Sequence, residues 1–127
     1  MYIPSNKLNG TGWRRIAKAT QCSFQGFKAA WLFESAFRQE LILCALLLPC
    51  SLILKQSAFH WLALIISLLF LLFAEMINSA LEALADSISL DHHPLIGRAK
   101  DMGSSGVFIA MFIVLLVWGE ALWRYIV

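Results

Sequence analysis

The sequence predicts an all-α membrane protein: three transmembrane helices preceded by an amphipathic helix at the membrane surface. Two observations carry this. The chain is 60% hydrophobic and only 14% charged, against about 45–50% apolar and about 25% charged in soluble domains. The apolar residues also gather in stretches close to the ~20 residues a membrane helix needs. The 127-residue length fits a single domain over residues 1–127,.

The first element is a helix over about 13–31. At 100° per residue, Trp13, Ile16, Thr20, Phe24, Phe27 and Trp31 fall within about 80° of one another,. Arg14, Arg15, Lys18, Gln21, Gln25 and Lys28 occupy the opposite side. Aromatic residues on one face and cations on the other describe a helix lying in the interface and favouring anionic lipid. The first span runs over about 37–54, and Lys55-Gln56-Ser57 makes a short turn into the second, over about 58–86. Residues 87–102 read as a polar loop punctuated by Pro94 and Gly97,. The third span covers about 103–125, where Gly103, Ser104, Ser105 and Gly106 permit close helix approach,.

Lys and Arg counts set the orientation. Lys7, Arg14, Arg15, Lys18, Lys28, Arg38, Arg98 and Lys100 fall on the side of the N-terminus and the 87–102 loop, against Lys55 and Arg124 on the other. That places the N-terminus and the loop in the cytoplasm. The net charge of +2 and the lack of a dense basic cluster argue against nucleic acid,. Cys22, Cys44 and Cys50 show no pairing pattern and read as free thiols,. No cleavable signal peptide is visible, and the glycosylation sequon at Asn9-Gly10-Thr11 is a weak match,.

The second span ends in polar residues: F-A-E-M-I-N-S-A-L-E-A-L-A-D over 73–86. About 20 residues from Ala58 bring the helix to the bilayer boundary near Ile77,. Glu75 sits at or just under it, with Glu82 and Asp86 beyond. Glu75, Asn78, Glu82 and Asp86 fall within about 80° on a helix, so they form one stripe,. A carboxylate at membrane depth costs several kcal/mol unless it is paired or hydrated, so Glu75 and Asn78 are functional candidates. Asp86 alone reads as a solvated helix end. Glu34, in A-A-W-L-F-E-S-A-F-R-Q-E over 29–40, lies near the same boundary and is placed to converge with Glu82. Two carboxylates with water suit Mg²⁺, which takes further ligands from phosphate. Arg98 and Lys100 in G-R-A-K-D-M-G-S-S-G supply cations for phosphate oxygens,. Neither a P-loop nor the protein-kinase motifs occur,. His92-His93 reads as part of a polar loop more than as a metal site,.

E-M-I-N-S-A-L-E-A-L-A-D at 75–86, A-A-W-L-F-E-S-A-F-R-Q-E at 29–40 and G-R-A-K-D-M-G-S at 97–104 resemble the bacterial integral-membrane diacylglycerol kinase family, which includes undecaprenol kinases. The resemblance spans about Gly12 to Trp123. It implies a homotrimer in the bacterial inner membrane, and transfer of the ATP γ-phosphoryl group to the hydroxyl of diacylglycerol, giving phosphatidic acid. By position it implies Glu75 as general base and Glu34 and Glu82 as ligands of Mg²⁺ with ATP. It assigns Arg15, Asn78, His93, Lys100 and Asp101 to the nucleotide, with Arg15 near lipid as well. It assigns Ser23, Lys28, Ala29, Ala30, Trp31, Arg38, Gln39, Glu40, Ser104 and Trp118 to the lipid substrate, beside Glu75. Cys22 and Pro94 depart from the family's pattern, the former standing where a familiar member has an aromatic ring. The A-F-R-Q-E stretch favours diacylglycerol over undecaprenol as acceptor.

Two readings from other classes compete. A small transporter or channel subunit would carry polar groups through the depth of a span. Here residues 61–74 are apolar except for Ser67. A structural assembly subunit accounts for the small-residue face but not for the acidic stripe.

Overall fold

A computed structural model describes residues 11–127. Lys7 and the Asn9-Gly10 part of the sequon lie outside the described residues. Those residues form four α-helices and no strand: α1 (Trp13–Phe33), α2 (Ser35–Leu54), α3 (Ala58–Ile88) and α4 (Pro94–Ile126). α2, α3 and α4 are each long and apolar enough to cross a membrane.

Local chemistry explains the boundaries. Gly12, at φ 62°, takes a left-handed conformation that a side chain would strain, and α1 starts directly after it,. Glu34 alone separates α1 from α2. Its backbone is extended (φ −115°, ψ 104°), and Arg38 reaches back across this break. The Arg38 guanidinium donates to the carbonyls of Trp31 at 2.7 Å and Leu32 at 3.3 Å, satisfying the end of α1,. Ser57 caps α3 by accepting from the His60 amide at 3.1 Å, while His60 Nδ1 accepts from the Gln56 amide at 3.0 Å. That reciprocal pair resembles a capping box with histidine in the acidic position.

The largest departure from the sequence reading is the start of α4, at Pro94 instead of about 103. Proline at the first helical turn loses no hydrogen bond. His93 caps the turn, its Nδ1 accepting from the Leu95 amide at 3.2 Å. The polar composition of 94–102 concealed a helix that projects beyond the apolar layer. α1 runs two residues further than expected, and α2 starts two residues earlier.

α3 is central, packing on α4 along most of its length and on α2 more briefly. Both contacts are antiparallel. Cys44 meets Leu68 and Ser51 meets Trp61 across α2 and α3; Trp118 meets Ser67 and Lys100 meets Asp86 across α3 and α4. The core is narrow, formed by Cys44, Leu64, Leu68, Leu71, Ala110, Val114, Trp118 and Ala121. Ala110 and Ala121 are fully buried and bring the α4 backbone close to its neighbours,. Around this core most large apolar side chains remain exposed, among them Ile66, Leu69, Phe108 and Leu115. A surface of this kind is stable in lipid, or against other apolar helices, and not in water.

Candidate active site at the acidic end of α3

One face of α3 is buried at every turn: Leu64, Leu68 and Leu71 give way, without a change of face, to Glu75, Asn78 and Ser79. Helical periodicity thus carries a packing stripe directly into an acidic one. Glu75 is 4% exposed and Glu40, presented by α2, is 8% exposed. Their carboxyls lie close enough to act on each other. Glu34 and Glu82 are close enough for their charges to act on Glu75. Asn78 Nδ2 donates to Glu82 Oε1 at 3.3 Å. Four carboxylates from two helices and the break before α2 therefore gather at one end of the bundle.

Several polar atoms there lack partners. Glu40 Oε2, Asn78 Oδ1 and Ser79 Oγ are buried with no hydrogen bond. Burying such an atom unpaired costs about 1–3 kcal/mol.

Concave spaces lie around this end of the bundle, one of about 480 Å³ lined by Asn78, Leu81 and Gly103 among others. A cavity of about 350 Å³ is lined by Ala29, Ala30, Glu34 and Ser79, among others. An apolar groove of about 540 Å³ runs between α1 and α3 past Ser23, Phe27, Leu72 and Met76. A small polar cavity of about 220 Å³ lies where α3 gives way to α4, lined by Asp86, His93 and Lys100. Lys100 Nζ donates to Asp86 Oδ1 at 2.9 Å across it.

The structure thus brings together Glu34, Glu40, Glu75, Asn78 and Glu82, and separately His93 and Lys100. Arg15, Lys28, Gln39, Asp101 and Ser104 are exposed, and Trp31 is partly so. Arg38 is occupied with the α1 carbonyls. Trp118 stands apart: it is buried in the core and donates from Nε1 to Ser67 Oγ at 3.1 Å. Ser67 lies roughly 12 Å along α3 from Glu75.

Sequence reasoning missed two members. Asp86 is not merely solvated but paired with Lys100. Ser79 lies one turn after Glu75 on the same buried face, a spacing that identifies it,.

Among the described residues, no three His, Cys, Asp or Glu side chains converge as a complete metal site. Two hard oxygen donors, Glu34 and Glu82, flank Glu75. That donor set fits Mg²⁺ held partly by phosphate and water, and does not fit an ion caged by protein alone.

An all-helical membrane protein with a carboxylate cluster at the end of a span is the class that fold and site define. Residues 21–122 match the model of the prokaryotic diacylglycerol kinase family. The chain is 42% identical to the diacylglycerol kinase of Escherichia coli K12 over 119 residues, 92% of this chain and 96% of that one. It is 41% identical to the diacylglycerol kinase of Haemophilus influenzae over 88% of this chain and 95% of that one. For the diacylglycerol kinase of Helicobacter pylori 26695 the identity is 36%, over 87% of each chain. The chain belongs to the prokaryotic diacylglycerol kinase family.

Proposed function

We propose that this protein is an ATP-dependent kinase of the bacterial inner membrane that phosphorylates diacylglycerol to phosphatidic acid. The observation that carries the proposal is the burial of Glu75 among further carboxylates, near the end of a membrane-length helix whose neighbouring residues Leu72 and Met76 line an apolar groove. A lipid hydroxyl resides at that depth, and a nucleotide approaches from the water beyond it.

In this reading Glu75 accepts the proton of the lipid hydroxyl as its oxygen bonds to the γ-phosphorus. The bond from the γ-phosphorus to the bridging oxygen breaks, ADP leaves, and the proton passes from Glu75 to water. Glu34 and Glu82 would hold Mg²⁺, which would supply charge neutralisation for the nucleotide's phosphates. Phosphoryl transfer asks chiefly for positioning and charge stabilisation, and this architecture supplies both. Glu82, seven residues beyond Glu75, lies roughly 10 Å further toward the aqueous side. His93 and Lys100 line the polar cavity there and bind nucleotide, and Arg15 and Asp101 have the same role. Ser23, Ala29, Ala30, Trp31 and Glu40 receive the lipid, which enters sideways from the bilayer.

The chain works as a homotrimer with its N-terminus and site in the cytoplasm. Three spans leave most large apolar side chains uncovered, and neighbouring subunits cover them. The aromatic face of α1, with Trp13, Ile16, Phe24 and Phe27 at least half exposed, lies on the membrane surface,.

The test uses purified protein in mixed micelles with ATP, Mg²⁺ and either diacylglycerol or undecaprenol. Phosphatidic acid supports the proposal. Phosphorylated undecaprenol alone moves the protein to the other branch of its family, and no phosphorylated lipid overturns the kinase reading.

A further inference from the structure

We propose that Gly103 is a positioning residue for the metal-binding carboxylate of Glu82, acting through Asn78; this rests on the kinase reading above. Where α4 crosses α3, the Gly103 backbone lies against the Asn78 side chain. A methyl group at position 103 would stand 2.5 Å from Asn78 Oδ1 and 3.3 Å from Leu81 Cδ1. No carbon approaches an amide oxygen that closely, so any residue but glycine displaces Asn78 or parts the two helices.

The orientation of Asn78 is not free to adjust. Its Nδ2 donates to Glu82 Oε1 at 3.3 Å, and a flipped amide would set Oδ1 against that carboxylate. The carbonyl edge must therefore face Gly103. There it is buried without a hydrogen-bond partner. Asn78 as a whole is 9% exposed, wedged between the α4 backbone on one side and Glu82 on its own helix on the other. An unpaired, immobilised carbonyl is the cost of holding the amide N–H on Glu82. Groups that orient a metal-binding carboxylate in this way typically change metal affinity 10–100-fold when removed.

Gly106 supplies an internal control. It lies one turn further along α4, and a methyl group there meets nothing within 4 Å. Substituting alanine at either site raises helix propensity equally, but only Gly103 touches Asn78.

The experiment measures Mn²⁺ binding by the electron paramagnetic resonance of free Mn²⁺, with a non-hydrolysable ATP analogue, on the full chain in detergent micelles. Gly103→Ala is expected to weaken Mn²⁺ binding about tenfold or more. Its turnover on diacylglycerol stays near the parent's once Mg²⁺ is saturating. Gly106→Ala binds Mn²⁺ as the parent does. Asn78→Ala reproduces the loss, and adding Gly103→Ala to it causes no further loss, because the pair acts as one unit. Unchanged Mn²⁺ binding in Gly103→Ala overturns the proposal, as does an equal extra loss in the Asn78→Ala background. If Gly103→Ala fails to fold, Asn78→Ala decides alone: parental Mn²⁺ affinity in that variant overturns the proposal. A parent protein that binds Mn²⁺ and nucleotide yet phosphorylates no lipid overturns the kinase reading, while the binding data still judge Gly103. A parent that binds neither overturns both.

Discussion

At one end of α3, polar side chains find their partners within the chain. Trp61 Nε1 donates to Ser51 Oγ at 3.0 Å, Trp118 Nε1 to Ser67 Oγ at 3.1 Å, and Ser67 Oγ to the Leu64 carbonyl at 2.7 Å. At the other end, Glu40 Oε2, Asn78 Oδ1 and Ser79 Oγ are just as buried and have none. His60 Nε2 is the one remaining buried atom of that kind among the described residues, and it faces Glu120 Oε2 at 3.6 Å. Membrane depth makes both arrangements expensive to form, so the contrast separates two purposes. Closed polar pairs tie helices together where lipid provides no hydrophobic drive for association. Of the open ones, Asn78 Oδ1 is held against Gly103, while Glu40 Oε2 and Ser79 Oγ keep a place for something that arrives from outside. If that distinction is right, substitutions at the open end change chemistry with little effect on stability, and substitutions at the closed end do the reverse.

The sharpest way to break it is Glu75→Gln. The amide keeps the shape and the packing but cannot accept a proton. Turnover on diacylglycerol should fall about 100-fold or more while ATP binding and thermal unfolding in micelles stay near the parent. A near-parental rate removes Glu75 from the role of base.

A smaller effect is expected at Glu34 and Glu82. Alanine at either should raise the Mg²⁺ concentration needed for half-maximal rate about tenfold or more, with turnover partly recovered at high Mg²⁺. Titration of Mg²⁺ in each variant checks this, and unchanged curves count against metal binding. Because Glu34 occupies the single extended residue between α1 and α2, its variant also tests whether that break serves the site or only the fold.

At the closed end the effect should move to stability. Trp118→Phe keeps most of the ring volume and removes the N–H. Ser67 Oγ retains its bond to Leu64, so no hydroxyl is orphaned. The expected cost is about 0.5–1.5 kcal/mol in unfolding free energy, with turnover unchanged. If the lipid KM rises at unaltered stability instead, Trp118 lines the substrate pocket, as the family resemblance implies, and the division between the two ends fails.

How much of this was legible beforehand varies with the physics. Three membrane-length helices follow from composition, because lipid admits few alternatives to a helix. The acidic stripe follows from spacing alone, because positions 75, 78 and 82 must share a face whatever else happens. What escaped the sequence depends on contacts between elements. The start of α4 at Pro94 was hidden because polar residues in a helix beyond the bilayer look like a loop. Asp86 passed for a solvated end because its partner, Lys100, lies on another helix. Gly103 read as one small residue in a run of them, and only its distance from Asn78 distinguishes it from Gly106.

The smallest expected effect lies at the outermost polar contact, where Arg124 Nε pairs with Glu120 Oε1 one turn back on α4. The Arg124 and Glu120 side chains are 63% and 46% exposed, so solvent screens most of their attraction. His60 Nδ1 already accepts from the Gln56 amide, which leaves the proton on Nε2, directed toward Glu120,. Removing Arg124 therefore leaves the Glu120 carboxylate with a neighbour. Arg124→Ala should cost about 0.2–1 kcal/mol in unfolding free energy, and the difference should shrink as salt is raised from 0.1 M toward 1 M. Turnover should not change. A slower reaction in this variant would mean that the far end of α4 sets the geometry at Glu75, and the two ends of the bundle would have to be treated as one machine.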